Sequence, residues 1–256
     1  MNGLAQKVAF VTGGGSGIGR QVSHRLASEG SKVGVVDLRE DAAQTVVDEI
    51  VAAGGEAMVI VADVTSSAQV EQGVAKLVES YGSLHYVVNC AGVAFGEGGV
   101  VECSEAAWDK TMAINVKSIF LTGKFAIPKI IEAGGGSIVN IASVFGLVAN
   151  PDECGYAASK GAVINLTRQM AVQHARDGVR VNAVLPSDCD TPLIAGLLGV
   201  EGDELTAAKA ELAAPIPMGR LAQPEEIAAG IAFLLSDDAG FITGVSLPID
   251  GGFLTK

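Results

Sequence analysis

Residues Lys7-Val-Ala-Phe-Val11 form a short apolar run that turns at once into Thr12-Gly13-Gly14-Gly15-Ser16-Gly17-Ile18-Gly19-Arg20, after which Val22, Leu26 and Ala27 recur at helical spacing. Strand, glycine turn and helix in that order make the βα unit that offers backbone N–H groups and a helix N-terminus to a pyrophosphate. The glycines stand as Gly13-x-x-x-Gly17-x-Gly19, with Ile18 where a G-x-G-x-x-G pattern begun at Gly13 would need glycine.

Apolar runs of strand length then alternate with helical patterns along the chain. Residues 32–37, 57–62, 86–89, 136–143, 179–185 and 245–250 read as further strands, and 40–53, 67–80, 104–131, the segment after Tyr156 and the segment from Gln223 to Leu235 as helices. Continuous apolar runs suit parallel strands covered on both faces. The alternation predicts one doubly wound α/β domain over residues 1–256, with ligands bound just past the strand C-termini. Asp37-Leu38, Asp63-Val64, Asn89-Cys-Ala-Gly92 and Ser143 all fall at such ends. Residues 93–103 read as a loop, Ser104 as a helix N-cap, and 187–217 as the longest excursion and a candidate lid over substrate.

Asp37 lies 18 residues after Gly19, near the spacing at which a carboxylate meets a ribose 2′-hydroxyl. A carboxylate there repels a 2′-phosphate, which argues for NAD over NADP; Arg39, two residues on, is the guanidinium that could serve a phosphate. Tyr156 and Lys160 stand four residues apart on a helix, thirteen residues beyond Ser143. Residues at i and i+4 share a helix face, so the ammonium is expected to favour phenolate and bring a weak acid toward neutral working pH. Asn115 is an amide in an apolar stretch. Buried, it must be hydrogen-bonded, either as a satisfied core residue or as one that holds water or shapes the helix.

The balance of 17 basic and 29 acidic residues gives a net charge of −12, and no basic run appears. Such a chain repels phosphate backbones, so nucleic acid is not an expected partner. No uncharged apolar segment of 18 residues occurs and the first residues lack a charged region followed by a long apolar run, so neither membrane insertion nor export is expected. Cys90, Cys103, Cys154 and Cys189 are widely spaced and His24, His85 and His174 do not cluster. Reduced thiols in a cytoplasm are the expectation, with no metal site.

With these motifs in order (Thr12 to Gly19, Asp63-Val64, Asn89 to Gly92, Asn115, Ser143, Tyr156-x-x-x-Lys160 and Pro186) the chain resembles the classical short-chain dehydrogenase/reductase family over nearly its whole length. The resemblance implies a Rossmann fold of seven parallel strands flanked by helices, a homotetramer, and a catalytic tetrad of Asn115, Ser143, Tyr156 and Lys160. It implies a nicotinamide dinucleotide held by Gly13, Gly15, Ser16, Gly17, Ile18, Gly19, Asp37 and Leu38, with Asp63 and Val64 at the adenine. Asn89, Ala91 and Gly92 would lie at the ribose, and Pro186, Cys189 and Thr191 near the carboxamide. In that scheme Ser143 bonds the substrate oxygen, Tyr156 moves the proton, Lys160 tunes Tyr156 and reaches the nicotinamide ribose, and Asn115 holds a water. Cys90 stands where the family commonly has Asn. Ser187 follows Pro186 where Gly is usual, and Ser lacks the backbone freedom of Gly.

Candidate substrate walls are Phe95, Val144, Phe145, Leu147, Asn150, Cys154, Leu193, Leu197 and Leu198, with Ser143 and Tyr156 at the reacting end. They are mostly apolar and hold no arginine to clamp an anion. The expected activity is NAD-dependent hydride transfer between nicotinamide and a neutral, fairly apolar secondary alcohol or ketone. The alternatives are a 3-oxoacyl-(acyl-carrier-protein) reductase-like enzyme, which would dock an acidic carrier on Lys124, Lys129 and Arg168, and a non-catalytic dinucleotide-binding scaffold. Halohydrin dehalogenation on the same fold is disfavoured by Gly13, Gly17, Gly19 and Lys160.

Overall fold

A computed structural model describes residues 1–95 and 98–255; Gly96 and Glu97 of the expected 93–103 loop lie outside the described residues. β1 (Val8–Thr12) is buried throughout, and its side chains alternate between two cores. Ala9 and Val11 join one and Val8 and Phe10 the other, as the period of two of a strand requires.

The chain continues as α1 (Gly17–Ser28), β2 (Lys32–Asp37), α2 (Glu40–Ala52), β3 (Glu56–Val61), α3 (Ser67–Tyr81) and β4 (Tyr86–Asn89). Then come α4 (Glu105–Met112), α5 (Ser118–Glu132), β5 (Gly136–Ile141), α6 (Cys154–His174), β6 (Val179–Pro186), α7 (Pro192–Leu198), α8 (Gly202–Ala213), α9 (Pro224–Leu235) and β7 (Ser246–Ile249). The strands form one parallel sheet in the order β3-β2-β1-β4-β5-β6-β7. One core packs α1, α2 and α9 on the sheet through Val22, Leu26, Val46, Ile50, Ile227 and Ile231. The other packs α3, α5 and α6 through Val74, Leu77, Ile119, Ile130, Val163 and Ile164. The strand order reverses between β1 and β4, and in such sheets the crevice outside that reversal receives ligands.

One local expectation is corrected and two are given their detail. β3 is an edge strand whose Val61 is half exposed, so its apolar run is not covered on both faces as expected. The helical stretch 104–131 is α4, a π-helical turn (Ala113–Lys117) and α5 in unbroken succession. The excursion 187–217 is largely helical, as α7 and α8. Ser104 caps α4 as its sequence predicts, accepting from the Ala107 N–H at 3.2 Å. Among the described residues no helix is long and apolar enough to cross a membrane.

Candidate functional site

The glycine turn closes tightly on its surroundings. Gly13 (φ +62°) and Gly17 (φ +51°) take left-handed backbone, and a Cβ on Gly19 would come within 2.1 Å of the Gly13 carbonyl oxygen. Only glycine admits that approach. α1 begins at Gly17, and its N-cap Ser16 makes no side-chain cap bond, so first-turn N–H groups are left for an anion.

The Asp37 carboxylate reaches back into this turn. Its oxygens accept from the Gly15 N–H at 3.0 Å and the Arg39 N–H at 3.0 Å. The Arg39 guanidinium stays 4.0 Å away and largely exposed. On the other side, the Ala91 N–H donates to the buried Thr12 hydroxyl at 3.3 Å, holding the turn after β4 beside the glycine turn. The result is a groove of about 450 Å³ lined by Gly13, Ser16, Gly17, Ile18, Gly19, Asp37, Leu38, Asp63, Val64, Ala91, Gly92 and Thr191 among others.

Of the other residues expected at the cofactor, Gly15 stands behind Asp37, and Pro186 and Cys189, expected near the carboxamide, line a second cavity. Asn89 is buried in a chain of hydrogen bonds from Thr122 through Asn89 and Asn140 to Thr167, at 2.8, 2.8 and 2.9 Å. That chain joins α5, β4, β5 and α6 beneath the site and had no signal in the sequence, because its members become neighbours only in the sheet.

The second cavity, of about 850 Å³, shares Ile18, Cys90, Gly92, Val93, Thr191 and Leu193 with the groove, so the two are continuous. Ser143, Tyr156 and Lys160 all line it. Ser143, at the end of β5, accepts from the Phe145 N–H at 3.2 Å and hydrogen-bonds Tyr156. Lys160 donates to the Ile141 carbonyl at 2.9 Å, and its ammonium lies 5.3 Å from the centre of the Tyr156 ring.

The expected tuning of Tyr156 is reversed here. Burial pushes the phenol up to about 12; the Ser143 hydrogen bond works against that rise, and Glu153 and Asp188 add to it. Burial also draws Lys160 down to about 8. Loss of hydration is the largest influence on both groups.

Asn115 sits in the π-helical turn. Its amide accepts from the Val93 N–H at 2.8 Å and donates to the Val93 carbonyl at 2.9 Å and the Ser159 hydroxyl at 3.0 Å. The side chain therefore clamps a cavity-lining residue to α6, with both amide hydrogens donated. Ser187 needs no glycine-like backbone, since Gln6 is the non-glycine residue with positive φ among those described, and its hydroxyl donates to the Asp250 carbonyl at 3.1 Å.

Of the candidate substrate walls, Phe145, Asn150, Leu193, Leu197 and Leu198 line the cavity. Phe95 does not: it is 40% exposed with the Lys110 ammonium over its ring. Cys154 is outside the lining too, its backbone held to Gly98. Val144 is buried and Leu147 is exposed. Sequence reasoning missed Phe253, which packs edge-on to Phe145 at 6.0 Å, and the acids Asp152, Glu153, Asp188 and Glu211. Among the described lining residues Lys160 is the cation.

These residues fit a nicotinamide dinucleotide. The groove has the glycine cradle and free helix N-terminus for a pyrophosphate and a carboxylate at its far end for a ribose. It opens into the cavity that holds Tyr156 and Lys160.

A family model described as enoyl-(acyl carrier protein) reductase matches residues 13–254. The chain is 43% identical over 252 residues to the 2,5-dichloro-2,5-cyclohexadiene-1,4-diol dehydrogenase of Sphingobium indicum, covering 98% of each protein. It is 40% identical over 255 residues to the cyclohexanol dehydrogenase of an Acinetobacter species, covering 100% of this chain and 98% of that one. A crystal structure of a short-chain type dehydrogenase/reductase from Mycobacterium marinum superposes with a TM-score of 0.92 at 32% identity, over 99% of this chain and 97% of the other.

Proposed function

The chain belongs to the short-chain dehydrogenase/reductase family, and on that premise we propose that it is an NAD-dependent dehydrogenase of a neutral cyclic secondary alcohol. The observation that carries the reading is the continuity of the Asp37 groove with the cavity holding Ser143, Tyr156 and Lys160. Relatives named for cyclohexanol and for a cyclohexadiene diol support the substrate class. Asp37 supports NAD, because its carboxylate fills the ribose end of the groove and would repel a 2′-phosphate.

The bound nicotinamide supplies the hydride acceptor. Tyr156 takes the proton of the substrate hydroxyl, and Ser143 holds the same oxygen by a hydrogen bond as charge gathers there. Lys160 places a cation against the Tyr156 ring, which favours the phenolate that must be present before the substrate proton is taken. Asn115 keeps Val93 and Ser159 in register so that the cavity floor does not shift. Helices α7 and α8 cover the cavity as a lid, pinned at its base by the 2.6 Å ion pair of Lys209 with Asp190. Exposed Phe120 on α5 and Val172 on α6 offer apolar faces for the homotetramer.

The test is absorbance at the nicotinamide band with NAD and NADP against a panel of cyclic and open-chain secondary alcohols. NAD-dependent oxidation of cyclohexanol-like substrates is expected. A preference for NADP, or for carrier-linked 3-oxoacyl groups over every small ketone, overturns the reading. The carrier alternative is weakened by Lys129, whose ammonium is taken by Glu132 at 2.8 Å.

A further inference from the structure

We propose that Asp188 reads a second hydroxyl on the substrate, so that the cavity takes a cyclic diol in preference to the matching mono-alcohol. This rests on the dehydrogenase reading for the identity of the first hydroxyl, and it names the feature that selects among alcohols.

Asp188 follows β6 in a segment fixed on both sides. The Ala222 N–H donates to the Asp188 carbonyl at 3.0 Å, the Asp190 N–H donates to the Ala222 carbonyl at 2.9 Å, and Ser187 is tied to Asp250. The side chain is thereby held in the wall that also contains Ser143 and Tyr156, close enough for its charge to act on the phenol. It is half-buried, and the hydrogen bond it accepts is from its own backbone N–H. Among the described residues no other side chain donates to it and no cation pairs with it.

The other acids of the cavity differ. Asn150 donates to Glu153 at 3.1 Å, and Asp152 and Glu211 are exposed at the rim. Phe145, Leu193, Ile194 and Phe253 give the same cavity an apolar lining. A partly desolvated carboxylate whose donor is its own backbone N–H alone is under-satisfied, and a ligand hydroxyl reduces that cost. Because a carboxylate only accepts, it rewards a hydroxyl and opposes a second carbonyl or any anion. An ammonium would meet the repulsion of Lys160, the cation among the described lining residues, which favours the hydroxyl.

The experiment is calorimetric titration of the Tyr156→Phe variant with NAD present. The ligands are cyclohexanol, the three cyclohexanediol regioisomers and 4-aminocyclohexanol. At least one diol is expected to bind about 10-fold tighter than cyclohexanol, the worth of one charge-assisted hydrogen bond. Adding Asp188→Leu should bring that ratio close to one. Asp188→Ala makes the same comparison if the leucine variant does not fold. Equal affinities in Tyr156→Phe, a preference that survives loss of the carboxylate, or tighter binding of the amino alcohol than of every diol overturns the proposal. Since binding is read without turnover, a diol preference abolished by Asp188→Leu supports it even where the parent enzyme oxidises no alcohol, an outcome that would sink only the dehydrogenase reading.

Discussion

The Lys160 ammonium lies 5.3 Å from the centre of the Tyr156 ring and gives its hydrogen bond to the Ile141 carbonyl at 2.9 Å. Holding it there costs stability, because burial draws its pKa from 10.5 to about 8. Below about pH 8 the group is charged in both folded and unfolded chains and the whole penalty is present; between about 8 and 10.5 the unfolded chain binds more protons, so stability rises with pH. That interval corresponds to about 3 kcal/mol. Lys160→Met is therefore expected to melt above the parent at neutral pH, with the gap shrinking as pH approaches 10. Melting curves at the two pH values check this, and a gap that widens with pH contradicts it.

Tyr156→Phe removes the hydroxyl that moves the proton while keeping the ring under Lys160. Turnover is expected to fall by about 10²–10⁴-fold, the usual share of general acid–base catalysis. Dinucleotide affinity, read by nicotinamide fluorescence, should be little changed, and retained turnover would remove Tyr156 from the chemistry.

Asp37→Ser takes away the carboxylate that accepts from Gly15 and leaves the Arg39 guanidinium unopposed. Affinity for NAD should weaken by about 10-fold or more and affinity for NADP should rise. Titration with both dinucleotides reads the switch; an unchanged ratio would show that Asp37 does not set cofactor choice.

Gly19→Ala places a Cβ where the Gly13 carbonyl oxygen stands, 2.1 Å away. One turn or the other must move, at a cost of about 1–3 kcal/mol, and the anion cradle moves with it. Dinucleotide affinity should drop well before secondary structure is lost, as circular dichroism alongside the titration would reveal.

Four acids and one lysine line the described part of the cavity, so an anionic substrate meets repulsion from most directions. Oxidation of 4-hydroxycyclohexanecarboxylate is expected to be well below that of cyclohexanol in kcat/KM and to improve with added salt as charges are screened. Faster turnover of the carboxylate at low salt would contradict this electrostatic picture.

The parts of this site that could be read in the sequence are those built locally. Strand, glycine turn and helix from Lys7 to Ala27 are consecutive, so their order alone announces a phosphate cradle, and Asp37 and Ser143 join it because strand ends in an alternating chain gather on one rim. Tyr156 and Lys160 share a helix face through a spacing of four. The π-helical turn at Ala113–Lys117 left no such mark, since its geometry answers to the hydrogen bonds of Asn115 with Val93 and Ser159.

What the sequence by itself determined is the alternating α/β plan and the residue types at its strand ends, because hydrophobic period and glycine sterics act over a few neighbouring residues. Only the tertiary structure decided that Phe95 and Cys154 stand outside the cavity, that Asp188 and Phe253 stand in its wall, and that burial raises Tyr156 despite its lysine. Each of those outcomes depends on distance and desolvation between segments far apart in the chain, and neither quantity exists until the sheet has brought them together.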